Sequence, residues 1–294
     1  MERSVRETIK NISRSHLANG NLLFGQCLSA VGWVGGTVPE LDESQGLVEL
    51  PMADVCAGGF VVGAALMGRR PIYVVRYQGF QWFNSSIICN YAGKSKEMWS
   101  LPCPIFIRSI AMEGGIGPVA GSSHHGIFLR MPGIKIASPM SSVEYQEVYD
   151  EFMMEDIPVY VSEHRKSYDN TKSLNDVVRD NPDIVLFPIS VTRFASLEVA
   201  LELPNVSVFN ILWINPLRIS QQAIDNLKAS KLGGVVLDDD YPNGVAKQIA
   251  YELMIRTSKP VKVLCIKECT AGFQSSSDNF PPNAQDIKEF IRNL

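Results

Sequence analysis

Apolar positions along the chain follow two alternating rhythms. Short runs rich in β-branched and aromatic residues, such as "IYVV" at 72–75 and "IPVYVSEH" at 157–164, have the length and composition of buried strands. Longer runs with helical spacing separate them. The stretch "ELPMADVCAGGFVVGAALMGRRPIYVV", residues 49–75, holds the whole pattern. A β-like run over 46–50 turns at Pro51, and a helix-like run over 52–67 closes at Gly68 and Pro71. A second β-like run follows at 72–75. Strand, helix, strand is the parallel crossover unit.

The alternation continues on both sides of one polar interruption. Before it, "LPCPIFIRSI" and "PGIKIASP" read as buried strands. "SSVEYQEVYDEFMMED" reads as a helix capped by Ser141 or Ser142, with Glu144 in its first turn. The interruption, "RKSYDNTKSLNDVVRDNPD", is polar and aperiodic, so it reads as a linker. After it come "DIVLFPIS", a helix over "FASLEVALEL", "VSVFNIL", a helix over "SQQAIDNLKAS", "GGVVLDDD", a helix over "GVAKQIAYELMIRT", and "VKVLCI". Such alternation predicts an α/β fold made of two doubly wound domains.

Composition narrows the function classes. The 294 residues are 46% hydrophobic and 20% charged, as in a globular protein of one large or two ordinary domains. A net charge of -4 gives no reason to expect nucleic acid or an anionic membrane as partner. No apolar run reaches the roughly 18 residues of a membrane span. The start, "MERSVRETIKNISRSHLANG", is a charged amphipathic helix and not a signal peptide, which predicts a cytoplasmic protein. The six cysteines, at 27, 56, 89, 103, 265 and 269, lack the spacing of a zinc site and read as small buried hydrophobes.

Candidate chemistry is sparse. The dinucleotide G-x-G-x-x-G, the phosphate-binding G-x-x-x-x-G-K-[ST] and the G-x-S-x-G elbow are all absent. Asp54 opens the helix of the crossover unit, where a carboxylate is either a helix cap or, at the ligand side of an α/β sheet, a functional acid. The loop "MEGGIGPVAGSSHHG" brings glycines beside His124 and His125, whose imidazoles can move protons near neutral pH. It is either a flexible turn or a ligand loop.

Four segments in their order and spacing carry a family resemblance: "LPMADVCAGGFVVGAALMGRRPIYVV", "YQGFQWFNSSIICNYAGK", "RMPGIKIASPMSSVEYQEVYDEFMMEDIPVYVSEHRKSY" and "GGVVLDDDYPNGVAKQIA". With them the chain resembles the β subunits of thiamine-diphosphate-dependent 2-oxoacid dehydrogenases and the C-terminal two thirds of transketolases. The resemblance implies a pyrimidine-binding domain over 1–168, a linker over 169–181 and a transketolase C-terminal-like domain over 182–294. It implies that Asp54, usually glutamate in the family, hydrogen-bonds the pyrimidine of thiamine diphosphate. Phe80 then stacks on the pyrimidine, with Gly79 beside it as a cofactor-binding residue, and His124 or His125 contacts substrate.

The family's diphosphate and Mg2+ motif, G-D-G followed by an asparagine, does not occur here. The resemblance therefore implies an α-type partner holding the metal through oxygen ligands, in a dimer of heterodimers. The chain itself would hold no metal. A sugar-phosphate substrate would need polar contacts, for which Arg108, Arg130, His164 and Arg165 are candidates, Arg165 and Lys166 being equally readable as solvated charges. The "G-E-D" or "G-E-E" that often ends the family's first strand is Gly25-Gln26-Cys27 here, so one acid is missing. That substitution leaves open a non-catalytic subunit that keeps the fold as a binding or scaffold element.

Overall fold

The computed structural model describes residues 3–113, 117, 119–270, 272–274, 276 and 278–294. The chain divides into two compact units, one of the residues up to Met112 with Ser123–Ser173, the other of the described residues of Glu113–Ser122 and Leu174–Leu294. Each is an α/β unit with parallel strands.

The first unit contains strands β1 (Leu23–Gln26), β2 (Leu47–Leu50), β3 (Ile72–Val75), β4 (Phe106–Ala111), β5 (Lys135–Ala137) and β6 (Val159–His164). Their spatial order is β2-β1-β3-β4-β6-β5, and every pairing is parallel. All residues of β3, β4 and β6 are buried, as expected for strands covered on both faces. The chain passes from β1 to β2 on one side and then over β1 to β3 on the other. Between the C-terminal ends of β1 and β3 the winding reverses, which opens a crevice.

Helices cover the sheet. Val5–Ala18 begins with a capping box of Ser4 and Glu7, and Ser142–Met154 with one of Ser141 and Glu144. The two helices pack together, and His16 Nδ1 lies 2.9 Å from the Tyr149 hydroxyl. Beneath them Phe106 meets Phe152 and Tyr149 with ring centroids 5.1 and 5.7 Å apart. The run over 81–99 is three segments: an α-segment Gln81–Ile87, a π-segment Ile88–Ala92 and a second α-segment Gly93–Trp99.

The second unit has strands β7 (Ile184–Pro188), β8 (Val206–Val208), β9 (Trp213–Asn215), β10 (Gly234–Leu237) and β11 (Val261–Leu264). Four of them form a parallel sheet in the order β11-β10-β7-β8. Ile184, Leu186, Val208, Val235 and Leu237 build its core with Val199 and Ala200 of the helix Thr192–Glu202. A terminal helix, Ala284–Arg292, seals that core with Ala284 and Ile287. The polar interruption is not free of structure in its second half. Val177 pairs with Val208 in an antiparallel bridge, and the Arg179 side chain donates to Ala200 O.

All six cysteines are unpaired with one another; Cys89 and Cys103 are buried, but Cys56 and Cys269 are exposed, against the expectation of six buried thiols. Among the described residues no helix is long and apolar enough to cross a membrane.

Candidate active site

The crevice at the winding reversal is a cavity of about 160 Å3. Gln26 and Cys27 line it from the end of β1, Tyr73 to Tyr77 from β3 and its continuation, and Met52, Asp54 and Phe80 from the turns beside them. Its walls are mostly apolar or aromatic. Asp54 is the acid among its lining residues.

Asp54 is the first residue of the helix Asp54–Leu66, and the cap position before it is Ala53, which makes no side-chain cap. Asp54 thus stands at the first helical position, one residue inside the cap, where its carboxylate also interacts with its own backbone amide. Burial raises its pKa above the usual carboxylate range, against the lowering influence of Gln26 and of its own backbone amide. Gln26 Nε2 is buried without a partner in full hydrogen-bond geometry, so its pull on Asp54 is a longer-range attraction. Burial thus disfavours the charged carboxylate, while the nearby Gln26 amide favours it.

Two side chains tie the cavity to the helices behind it. The Tyr73 hydroxyl donates to Asn84 Oδ1 at 3.0 Å, and Gly58 N–H donates to the same oxygen at 3.0 Å. Burial raises the Tyr73 pKa, and the Asp54 charge adds to that. Gly58 must lack a side chain for this contact. A Cβ there would lie 2.7 Å from Ile87 Cγ2 and 3.0 Å from Asn84 Oδ1.

Gly79 and Phe80 sit in the 3-10 turn Gln78–Phe80 that leaves β3. Sequence reasoning missed Gln78, which organises that turn. Its Nε2 donates to Ser162 Oγ at 2.9 Å and Ser109 O at 3.2 Å. Its Oε1 accepts from His124 N–H at 2.6 Å and from the Tyr160 hydroxyl at 3.2 Å. A glutamine two residues before the expected stacking aromatic, just past the apolar strand, was the available signal.

His124 and His125 do not line the Asp54 cavity. His124 stands edge-on to Trp82, with ring centroids 6.3 Å apart. Burial, and then the neighbouring His125, lowers its pKa to about 4, so its imidazole is neutral at physiological pH. His125 is fully buried, its Nδ1 3.1 Å from Ser162 Oγ. Of the glycine loop before them, residues 114–116 and 118 lie outside the described residues.

The candidates for sugar-phosphate contact separate clearly. Arg108 is buried and held by Glu163, Nε to Oε1 at 2.7 Å and Nη2 to Oε2 at 3.1 Å. Tyr145 and Tyr168 donate their hydroxyls to the same carboxylate at 2.5 and 2.8 Å. Arg108 is thus withdrawn from any ligand. His164 is buried as well, and its Nδ1 accepts from Lys166 N–H. Arg130 is exposed, as is Arg165, which lines a second, smaller hollow.

Residues 29–171 match the family described as transketolase, pyrimidine binding domain. The pyruvate dehydrogenase E1 component subunit beta of Bacillus subtilis (strain 168) is 23% identical, covering 98% of this chain and 97% of its own. The 2-oxoisovalerate dehydrogenase subunit beta of the same organism is 27% identical over 69% of this chain and 68% of its own. A solved structure described as "split gene transketolase, inactive beta4 tetramer" superposes with a TM-score of 0.74 at 12% identity, covering 100% of this chain and 98% of that one. Residues 29–171 are thus similar to a transketolase-type pyrimidine-binding domain, and the chain shares its fold with the solved transketolase structure over its whole length.

Proposed function

We propose that this chain supplies the pyrimidine-binding half of the thiamine diphosphate site in a cytoplasmic enzyme acting on a 2-oxoacid or a ketose. The observation that carries the reading is Asp54: an acid with a raised pKa, set in an aromatic cavity at the winding reversal of a parallel sheet. The residues suit an aminopyrimidine. Asp54 would hold a proton against a ring nitrogen, Phe80 and Tyr77 offer aromatic faces, and the buried Gln26 Nε2 lacks a partner that a ring substituent would provide. When bound, the cofactor supplies the nucleophilic carbon that attacks a substrate carbonyl.

The rest of the assignment concerns this chain's own groups. Tyr73, buried beside the acid and tied to Asn84, is assigned to shaping the cavity wall next to Asp54. His124, neutral beside Trp82, is the loop histidine assigned to substrate; His125 is assigned to holding the loop through Ser162. An α-type chain would carry the diphosphate and Mg2+, and the complex would be a dimer of heterodimers. The exposed large apolar side chains of Val55, Phe60, Met67, Trp82, Phe83 and Met98 support that partnership, since a partner chain would take them out of water.

The test is hydrogen–deuterium exchange at the thiazolium carbon in the reconstituted complex. Asp54→Asn should abolish exchange while leaving the fold and partner binding intact; Asp54→Glu should preserve or raise it. Exchange at the unaltered rate in Asp54→Asn would refute the assignment. A non-catalytic binding subunit is the second reading, favoured by Gln26 where the family often has an acid, and an unaltered complex without exchange would select it.

A further inference from the structure

The side chain of Gln78 is fully buried, and its neighbours fix which end of the amide is nitrogen. One end faces the carbonyls of Ser109 at 3.2 Å and Glu163 at 3.4 Å; carbonyls only accept, so that end is Nε2. The other faces the N–H of His124 at 2.6 Å, which only donates, so that end is Oε1. Nε2 also donates to Ser162 Oγ at 2.9 Å, and Oε1 also accepts from the Tyr160 hydroxyl. The amide's two donors and two lone pairs are therefore all in use.

The consequence passes through Ser162. Its side chain is buried, with Oγ 3.1 Å from His125 Nδ1. Oγ accepts from Gln78, and its own single proton must point elsewhere. Among the described residues, the acceptor within reach of that proton is His125 Nδ1. Were Nδ1 protonated, the serine proton would be buried without an acceptor, a penalty that biases the tautomer ratio by about tenfold or more. Nδ1 is therefore bare, and the ring proton of neutral His125 sits on Nε2.

We propose that Gln78 is the positioning residue of the histidine loop: it fixes the backbone of His124 directly and the tautomer of His125 through Ser162. Both arms converge on one short piece of chain. His125–Phe128 is a 3-10 turn whose cap residue, His124, makes no side-chain cap, and Gln78 holds the His124 N–H from outside. The far end of the turn is held by Phe128 against the Tyr160 ring, centroids 4.8 Å apart, and Tyr160 donates to the same Gln78 oxygen. In the loop's chemistry His125 Nε2 is then a hydrogen-bond donor and not a base. That last step rests on the function proposed above; the tautomer does not.

Long-range 15N–1H spectra of the full chain labelled at histidine show which ring nitrogen carries the proton. His125→Asn assigns the signal among the four histidines. The unaltered chain should show the His125 proton on Nε2. Ser162→Ala removes the relay, so the two tautomers should mix while the His124 amide stays protected from hydrogen exchange. Gln78→Met frees the Ser162 hydroxyl to serve the carbonyl of Ser109 or Glu163. The His125 proton should then move toward Nδ1, and the His124 amide should exchange about tenfold or more faster. Asp54→Asn should leave both readings unaltered even where it abolishes thiazolium exchange, so this proposal and the preceding one fail separately. Should Gln78→Met fail to fold, the unaltered chain and Ser162→Ala still decide the point. A His125 proton on Nδ1 in the unaltered chain, or a tautomer unchanged in either folded variant, overturns the proposal.

Discussion

Replacing Glu163 by glutamine keeps the shape of the side chain and removes one charge from the centre of the first unit. Arg108 would then stay buried without a counter-ion, since its remaining oxygen partner is Thr37 Oγ1 at 3.0 Å. Burial alone would lower the Arg108 pKa; the Glu163 charge more than reverses that, so the guanidinium must remain charged. Tyr145 and Tyr168, whose hydroxyls have pKa values raised by burial and by Glu163, would each lose a charged acceptor. Removing one partner of such a buried pair costs about 3–5 kcal/mol. For a domain of 150–250 residues each kcal/mol lowers Tm by roughly 2–4 °C, so calorimetry should show a fall of about 6–20 °C. Arg108→Met combined with Glu163→Gln should recover most of the loss, because it leaves no uncompensated charge and keeps an amide oxygen for the tyrosine hydroxyls. A fall worth under about 1 kcal/mol, the scale of an exposed ion pair, would show that water reaches the site and would refute the reasoning.

Gly58→Ala should destabilise the chain by about 1–3 kcal/mol in urea titration through overpacking against Ile87 and Asn84; an unchanged midpoint would show that the helices can separate freely. Burial lowers the pKa of both His16 and His124 to about 4, from 6.5. The unfolded chain therefore takes up their protons first. Stability from these groups is full above pH 6.5 and falls as pH drops toward 4, by on the order of 3 kcal/mol each. Urea midpoints that stay flat across that window would show that both imidazoles titrate normally. The isolated chain should show negligible magnesium-dependent affinity for thiamine diphosphate in calorimetry, and tight binding would mean that the chain carries a diphosphate site of its own. His124→Ala should lower turnover of the complex about 100-fold with cofactor affinity unchanged; equal loss of both would make it a structural support.

Strand and helix alternation was legible because buried parallel strands are short, apolar and β-branched, as "IYVV" and "IVLFP" are. The order β2-β1-β3 was not, since crossover direction leaves no mark in hydropathy. Position 54 stood out as an acid among small apolar residues. That Ala53 holds the cap position and Asp54 the first helical one could not be read from the sequence. Arg108 shows the opposite failure: an arginine in a strand looks available until Glu163, 55 residues later, is seen to hold it. The terminal helix Ala284–Arg292 was unread, although Asn283 and Asp286 form a capping box. The π-segment Ile88–Ala92 has no sequence signature distinct from an ordinary helix.

Asn84 Oδ1 accepts from Tyr73 on one side and from Gly58 on the other, so one atom joins the wall of the Asp54 cavity to the helices bearing Phe60, Trp82 and Phe83. A ligand that displaces Tyr73 must move or strain those helices. Thermodynamic reciprocity then fixes the relation between two binding events: whatever factor cavity occupancy adds to the affinity of the apolar face, docking on that face adds to the affinity of the cavity. Measured as a cycle, loading before docking and docking before loading must close to the same free energy, and Asn84→Ala should shrink the coupling term within that cycle.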